Sequence, residues 1–168
     1  MIEKKIISII VITFNRIEYI KIFIEYLYLF TDYPFRLIVV DNGSEDGTKE
    51  LILKLEKDGL IWKHVFNSEN LKLAAAQTEG FKQVESDLFV VADDDMQVPI
   101  FKSPCWLTLL RNKILSDDNI GCINFSGARQ SFRSFNIKRR PLIESRIDAE
   151  GGERFIMFKK LQKLIYNK

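Results

Sequence analysis

Apolar and polar positions along this 168-residue chain follow two alternating periods. Short β-branched runs at 6–12, 35–40, 61–66, 88–92 and 120–125 have the length and composition of buried strands. Between them, apolar residues recur at helical spacing. Ile20, Phe23, Ile24, Leu27 and Tyr28, with Lys21 and Glu25 between them, predict a helix over 18–30 that stops at Thr31-Asp32-Tyr33-Pro34. Asp46 or Thr48 can cap a helix running to about residue 55, which Lys57-Asp58-Gly59 ends. Two more helices are expected over 73–84 and 105–115. Strands alternating with helices of this length imply βαβ units, hence an α/β fold with a mainly parallel, doubly wound sheet.

Beyond Gly127 the pattern weakens, and 130–146 shows neither period. From Arg154 onward Phe155, Phe158, Leu161, Leu164 and Ile165 again take helical spacing, against Lys159, Lys160, Lys163 and Lys168. The chain therefore divides into an α/β domain over 1–128 and a C-terminal segment, 129–168, ending in an amphipathic helix. Charge follows the same division. Residues 1–128 carry 14 Lys and Arg against 19 Asp and Glu, whereas 129–168 carry 11 against 4, so a net +2 hides a basic appendage. Basic residues beside a helical apolar stripe fit two arrangements: a helix packed on the sheet, or one lying against an anionic membrane surface.

Composition narrows the class further. With 46% apolar and 29% charged residues the chain can bury a core of its own. No stretch reaches the roughly 18 uncharged apolar residues of a membrane span, and the N-terminal apolar run lacks a cleavage site, so it reads as a core strand. Cys105 and Cys122 have no metal-ligand spacing and are too few for a disulfide framework, which fits reduced thiols and a cytoplasmic protein. The lone His64 falls in a strand and reads as structural. No nucleic-acid partner is expected.

The chemistry collects at strand ends. Asp93, Asp94 and Asp95 follow directly on the apolar run 88–92. Two unit charges about 4 Å apart repel by roughly 4 kcal/mol at an effective dielectric of about 20, so such a cluster needs a cation, protonation or outward splaying. A divalent metal is the simplest solution; helix-capping aspartates in a plain turn are the alternative. The strand over 35–40 ends in Asp41-Asn42-Gly43-Ser44-Glu45-Asp46-Gly47-Thr48, a run of turn formers, and the first strand ends in Thr13-Phe14-Asn15-Arg16. In a parallel sheet these ends share one edge, placing Thr13, Asp41 and the three aspartates in a single cleft.

Taken in order, these pieces resemble the family 2 glycosyltransferases and their GT-A-type nucleotide-sugar-binding fold. The matching runs are 9–16, 39–44 with Asp46-Gly47-Thr48, Asn70 with Ala74, Ala76 and Gly80, 90–95, and Trp106-Leu107 with Leu110. The resemblance implies that Thr13, Asn15, Asp41 and Asp93 bind the nucleotide, with Asp41 accepting the imide hydrogen of uracil. It implies further that Asp93, Asp94 and Asp95 supply metal ligands for Mg²⁺ or Mn²⁺, hard cations suited to oxygen donors. The donor would be a nucleoside diphosphate sugar, UDP-linked, and the acceptor a hydroxyl of a glycan or a lipid-linked molecule. Peripheral contact with the inner face of a membrane accords with the basic tail.

The chain departs from the family pattern in the stretch from Asn70 to Gly80 and again downstream. Lys72 stands where a glycine is usual, and Gln77 and Thr78 stand where a basic residue and then an asparagine are common. Inverting transfer needs an Asp or Glu base from the second half of the domain, yet the positions expected for its acidic pair read Lys159-Lys160. Asp148, Glu150 and Glu153 are the late carboxylates after Glu144, and no motif singles one out, so the catalytic base is unassigned. Two rival readings follow: a non-catalytic nucleotide-sugar-binding module or fragment lacking the base, and a nucleotidyltransferase. The latter would show a glycine-rich loop near the N-terminus, which Thr13-Phe14-Asn15-Arg16 lacks.

Overall fold

The computed structural model describes residues 5–96, 98, 103–126, 131–135 and 156–159. Its elements follow the expected alternation: β1 (Ile7–Thr13), α1 (Ile17–Phe30), β2 (Phe35–Asp41), α2 (Thr48–Lys57), β3 (Lys63–Phe66), α3 (Lys72–Lys82), β4 (Leu88–Asp93), α4 (Trp106–Leu115) and β5 (Cys122–Ser126). Two strands complete the order, β6 (Ser131–Phe135) and β7 (Ile156–Lys159). All seven strands form one sheet in the order β3-β2-β1-β4-β7-β5-β6.

The first four strands are parallel, as the βαβ pattern requires. Ile7 pairs with Phe35 and Thr13 with Asp41, so β1 and β2 end level with one another. The remaining half is antiparallel, because β7 runs against both β4 and β5, and β6 against β5. The sheet is thus mixed, with the parallel half carrying the expected architecture. Two expectations for the C-terminal segment change. Residues 156–159 form an interior strand of the sheet, between β4 and β5, where an amphipathic helix is expected, and β6 lies within the stretch that shows no period. The rest of the expected helix, 160–168, lies outside the described residues.

Helices cover both faces. On one face α1, α2 and α4 bury Ile20, Phe23, Ile24, Leu27, Ile52, Trp106, Leu107, Leu110 and Ile114 against Ile7, Ile9, Val11, Leu37, Val39 and Val90. On the other, α3 packs Ala76 on Ile10, Ile12, Ile38, Val40 and Val91. Alternate residues of β1 and β2 therefore face opposite cores, which explains why these strands read as continuous apolar runs. Gly80 sets how closely α3 approaches: a Cβ there would lie 2.6 Å from Ile10 Cγ2. The fully buried Trp106 donates its indole N–H to Thr31 Oγ1 at 2.8 Å, tying the start of α4 to the end of α1. His64 is structural in these contacts, its Nδ1 lying 2.9 Å from Glu56 Oε1 of α2. Cys105 and Cys122 are free and buried, and burial pushes the Cys122 thiol up to about 12.

Candidate functional site

Parallel pairing brings the C-terminal ends of β1, β2 and β4 to one edge, and loops tied together by polar side chains finish them. Asn42 is the hub. Its backbone N–H donates to Thr13 O at 2.8 Å, joining the β1 and β2 ends. Its side-chain oxygen accepts from Asn67 Nδ2 and from the Leu71 N–H, and its Nδ2 donates to Asn70 Oδ1 at 2.8 Å. The segment before α3 is thereby pinned to the end of β2. Gly43 permits that closeness: at φ +90° a Cβ would meet the Glu69 carbonyl carbon at 2.8 Å.

Asn15, in the left-handed region at φ 51°, crosses between loops in the same way. Its N–H donates to Ser44 Oγ, and its Oδ1 accepts the Glu45 N–H, each at 2.8 Å. Asp46 then serves two helices at once. One carboxylate oxygen accepts the Ile17 N–H at the start of α1, and the other accepts the N–H and hydroxyl of Thr48 at the start of α2. Burial acts to raise its pKa, but the Thr48 hydroxyl and the backbone donors outweigh it and hold the carboxyl below its ordinary value.

Within this frame lies a cleft of about 330 Å³ lined by Ile12, Thr13, Phe14, Arg16, Asn42, Asn70, Leu73 and the three aspartates. At its floor Thr13 Oγ1 donates to Asp94 Oδ2 at 2.6 Å. Arg16 Nη1 bridges two carboxylates, Asp94 Oδ1 at 3.1 Å and Asp95 Oδ2 at 2.7 Å. The Asp94 side chain is 3% exposed, whereas Asp95 and Arg16 are 46% and 47% exposed. Desolvation raises the Asp94 pKa despite the hydrogen bonds from Thr13 and Arg16 that oppose it. The hydrogen bond to Asp95, and then that to Asp94, raises the Arg16 pKa above its ordinary value. Among the described residues, a guanidinium supplies the cation that the acidic cluster requires.

The expected residues thus divide into groups. Thr13, Asp93, Asp94 and Asp95 line the cleft. Asp41 pairs in register with Thr13 but is fully buried and lies outside the lining. One of its oxygens accepts the Ser44 N–H at 3.1 Å, and its buried Oδ1 has no hydrogen-bond partner among the described residues. Asn15 braces the loops and does not line the cleft. Lys72 is exposed at φ 68°, at the first turn of α3. Asp148, Glu150 and Glu153 lie outside the described residues. The sequence reading assigned no role to Arg16, Asn42, Asn70 or Leu73. A cation three residues after Thr13, with an acidic run of opposite charge at the end of another strand, was the available signal for Arg16. Asn42 carried none, because its partners, Thr13, Asn67, Asn70 and Leu71, are distant in sequence.

A second cleft of about 320 Å³ shares Asp94 and Asp95 as a wall and is otherwise lined by Tyr19, Ile22, Phe23, Tyr26, Met96 and Val98.

Comparison with known proteins settles the family. The sequence profile described as glycosyl transferase family 2 matches residues 8–164. The chain belongs to that family. It is 31% identical over 118 residues to the hyaluronan synthase of Pasteurella multocida, covering 69% of this chain and 12% of that protein. To the cholesterol galactosyltransferase of Borreliella burgdorferi it is 26% identical over 144 residues, covering 85% of this chain and 38% of that protein. Among solved structures, the mannosyltransferase PcManGT of Pyrobaculum calidifontis, in complex with GDP-Man and Mn²⁺, superposes with a TM-score of 0.61 at 23% identity. That match covers 74% of this chain and 35% of that one. TarS 1–349 of S. aureus in complex with UDP gives 0.59 at 20% identity, covering 82% and 38%. The fold is of the GT-A type. The chain spans only 12% and 38% of the length of the two curated relatives named.

The donor set suits the metal that this family resemblance implies. Asp93 and Asp95 both line the cleft, and carboxylate oxygen is a ligand that Mg²⁺ and Mn²⁺ take. Among the described residues no three His, Cys, Asp or Glu side chains are grouped so that they could together hold a metal ion.

Proposed function

We propose that this chain is the donor-binding part of a glycosyltransferase that takes a nucleoside diphosphate sugar, UDP-linked, and passes the sugar to an acceptor hydroxyl with inversion. The observation that carries the reading is the acidic cluster at the end of β4, set in an open cleft beside Thr13 and Arg16. Asp93 and Asp95 would hold a Mg²⁺ or Mn²⁺, which when bound neutralises the charge gathering on the departing diphosphate. In the transfer the acceptor oxygen bonds to the anomeric carbon as the bond from that carbon to the diphosphate oxygen breaks, and the hydroxyl proton passes to a base.

Several residues of the chain prepare that step. Thr13, whose hydroxyl donates a hydrogen bond to Asp94, and Asp93 form the wall on which ribose and base would rest. Asp41 Oδ1, buried without a partner, is the acceptor that a uracil imide hydrogen would satisfy once the base enters beside Thr13. Cytosine has no hydrogen on that ring nitrogen and would leave the oxygen unpaired. Leaving such a buried acceptor unmatched costs about 1–3 kcal/mol, so the arrangement favours UDP over CDP. The apolar cleft behind Asp94 and Asp95 accords with an acceptor that carries an apolar portion, as a lipid-linked one does.

A second reading retains support from one observation. The sequence has Lys159 and Lys160 where the family's acidic pair is expected, and Lys159 closes β7. A donor-binding module whose base lies elsewhere accounts for that. The nucleotide assignment is tested by UDP, CDP and GDP titrations in the presence of Mn²⁺, on the wild type and on Asp41→Asn. UDP should bind best, and the substitution should weaken it by about tenfold or more, the loss of a charged hydrogen bond. Tighter binding of GDP or CDP would refute the uracil assignment.

A further inference from the structure

Arg16 holds the acidic cluster together, and the family relationship assigns it no role. Its Nη1 lies 2.7 Å from Asp95 Oδ2 and 3.1 Å from Asp94 Oδ1, so one guanidinium nitrogen serves two carboxylates. The two contacts differ in kind. Asp94 is buried and also takes the Thr13 hydroxyl at 2.6 Å, so it is fixed in place. Asp95 is half exposed, as Arg16 is, and their contact stands in water, where an ion pair is worth up to about 1 kcal/mol. The Arg16 guanidinium also lies 5.7 Å from the centre of the Tyr19 ring, a second surface on which it can rest.

A divalent cation on Asp95 would conflict with this arrangement. Beside the guanidinium the cation would meet a like charge, which repels it even where water screens the pair. Arg16 and the cation therefore compete for the same carboxylate oxygen. The diphosphate reverses the balance, since it brings negative charge to the cleft that Arg16 already lines. A planar guanidinium suits phosphate oxygens as well as it suits carboxylates.

We infer that Arg16 is a resident counter-ion exchanged on donor binding: the divalent cation displaces it from Asp95, and the freed guanidinium then takes the diphosphate. The inference rests on the donor-binding reading above. It makes Arg16 oppose metal binding when the protein is empty and favour nucleotide binding when the metal is present, so one substitution has effects of opposite sign. A residue of purely structural importance would weaken both.

Calorimetric titration with Mn²⁺ alone, and with UDP at saturating Mn²⁺, separates these outcomes on the wild type, Arg16→Gln and Arg16→Lys. Arg16→Gln should bind Mn²⁺ alone roughly fivefold more tightly, the equivalent of an exposed ion pair of about 1 kcal/mol, and UDP about tenfold more weakly. Arg16→Lys keeps the charge on a shorter side chain that ends in a more strongly hydrated ammonium, so it should hold Asp95 less well, bind Mn²⁺ more tightly than the wild type and retain more UDP affinity than Arg16→Gln. Thermal unfolding confirms that each variant is folded, and Arg16→Lys carries the test if Arg16→Gln is not. Unchanged or weaker Mn²⁺ binding by the folded variants, with UDP still bound by the wild type, overturns the exchange and leaves the donor site standing. Failure of the wild type to bind UDP at saturating Mn²⁺ overturns the donor reading itself, and the exchange with it.

Discussion

Asp46 joins the two helix starts that frame the cleft. Its carboxylate accepts from Ile17 at the start of α1 and from Thr48 at the start of α2. Asp46 stands just before Gly47, the N-cap of α2, and is exposed, so solvent screens its hydrogen bonds to the two helix starts. Asp46→Ala should lower stability by about 1 kcal/mol, the middle of the range for losing a helix-start acceptor, measured by denaturant unfolding. Because the folded carboxyl titrates below its ordinary value, its contribution is fully present above the unfolded pKa of about 3.9 and is lost as pH falls through the lower folded value. The gap between wild type and Asp46→Ala should therefore be constant near neutrality and close in acid. A gap that widened in acid would show that the carboxylate does not cap. At this scale the sequence showed which groups were chemical and less often what they touch. Asp46 was legible as a cap for α2, but its bond to Ile17 spans 29 positions and could not be read from local pattern. Thr13 and the aspartates were legible as strand-end groups, whereas the burial of Asp41 and the grip of Arg16 depend on which loops fold over them.

Among the elements, those with long periodic segments were legible almost to the residue. The helix expected over 18–30 is Ile17–Phe30, and the one over 105–115 is Trp106–Leu115. The strand over 61–66 shortens to Lys63–Phe66, although Trp62 still donates to Leu37 O at 2.9 Å and so continues the ladder in part. The failure at β7 has a plain cause. Phe155-Ile156-Met157-Phe158 is a short continuous apolar run, which periodicity alone cannot assign to helix or strand, and the lysines after it favoured the helical reading. Tertiary pairing with β4 and β5 decides it. The junction of β2's loop with the segment before α3 offers an element-scale prediction. Gly43→Ala would force a side chain into the left-handed region, at about 1–2 kcal/mol, and push its Cβ to 2.8 Å from a backbone carbon of Glu69. Backbone cannot yield as a side chain can, so destabilisation should exceed the dihedral cost alone. Nucleotide binding should weaken with it, because Asn42 and Asn70 line the cleft from this junction. Unfolding and UDP titration on the same variant check both. Wild-type stability and affinity would show that the two loops do not need this contact.

For the whole molecule, the parallel half of the sheet carries the cleft and the antiparallel half extends it through β7, β5 and β6. The fold class was legible because alternating strand and helix periods leave few topologies. The mixed character of the sheet was not, because β7 is separated from β4 in the chain and pairs with it only after folding. Among the described residues no helix is long and apolar enough to cross a membrane. On the proposed reading this sheet edge binds a nucleoside diphosphate through a divalent cation held by the acidic cluster. Three carboxylates and a diphosphate cannot share so small a cleft without added positive charge, and Arg16 supplies only one unit of it. Calorimetric titration of UDP, with and without Mn²⁺, on the wild type and on the Asp93→Asn, Asp95→Asn double variant tests this most directly. The wild type should bind UDP with Mn²⁺, and most of that affinity should be lost when either the metal or the two carboxylates are removed. UDP binding of equal strength in both proteins without metal would contradict it.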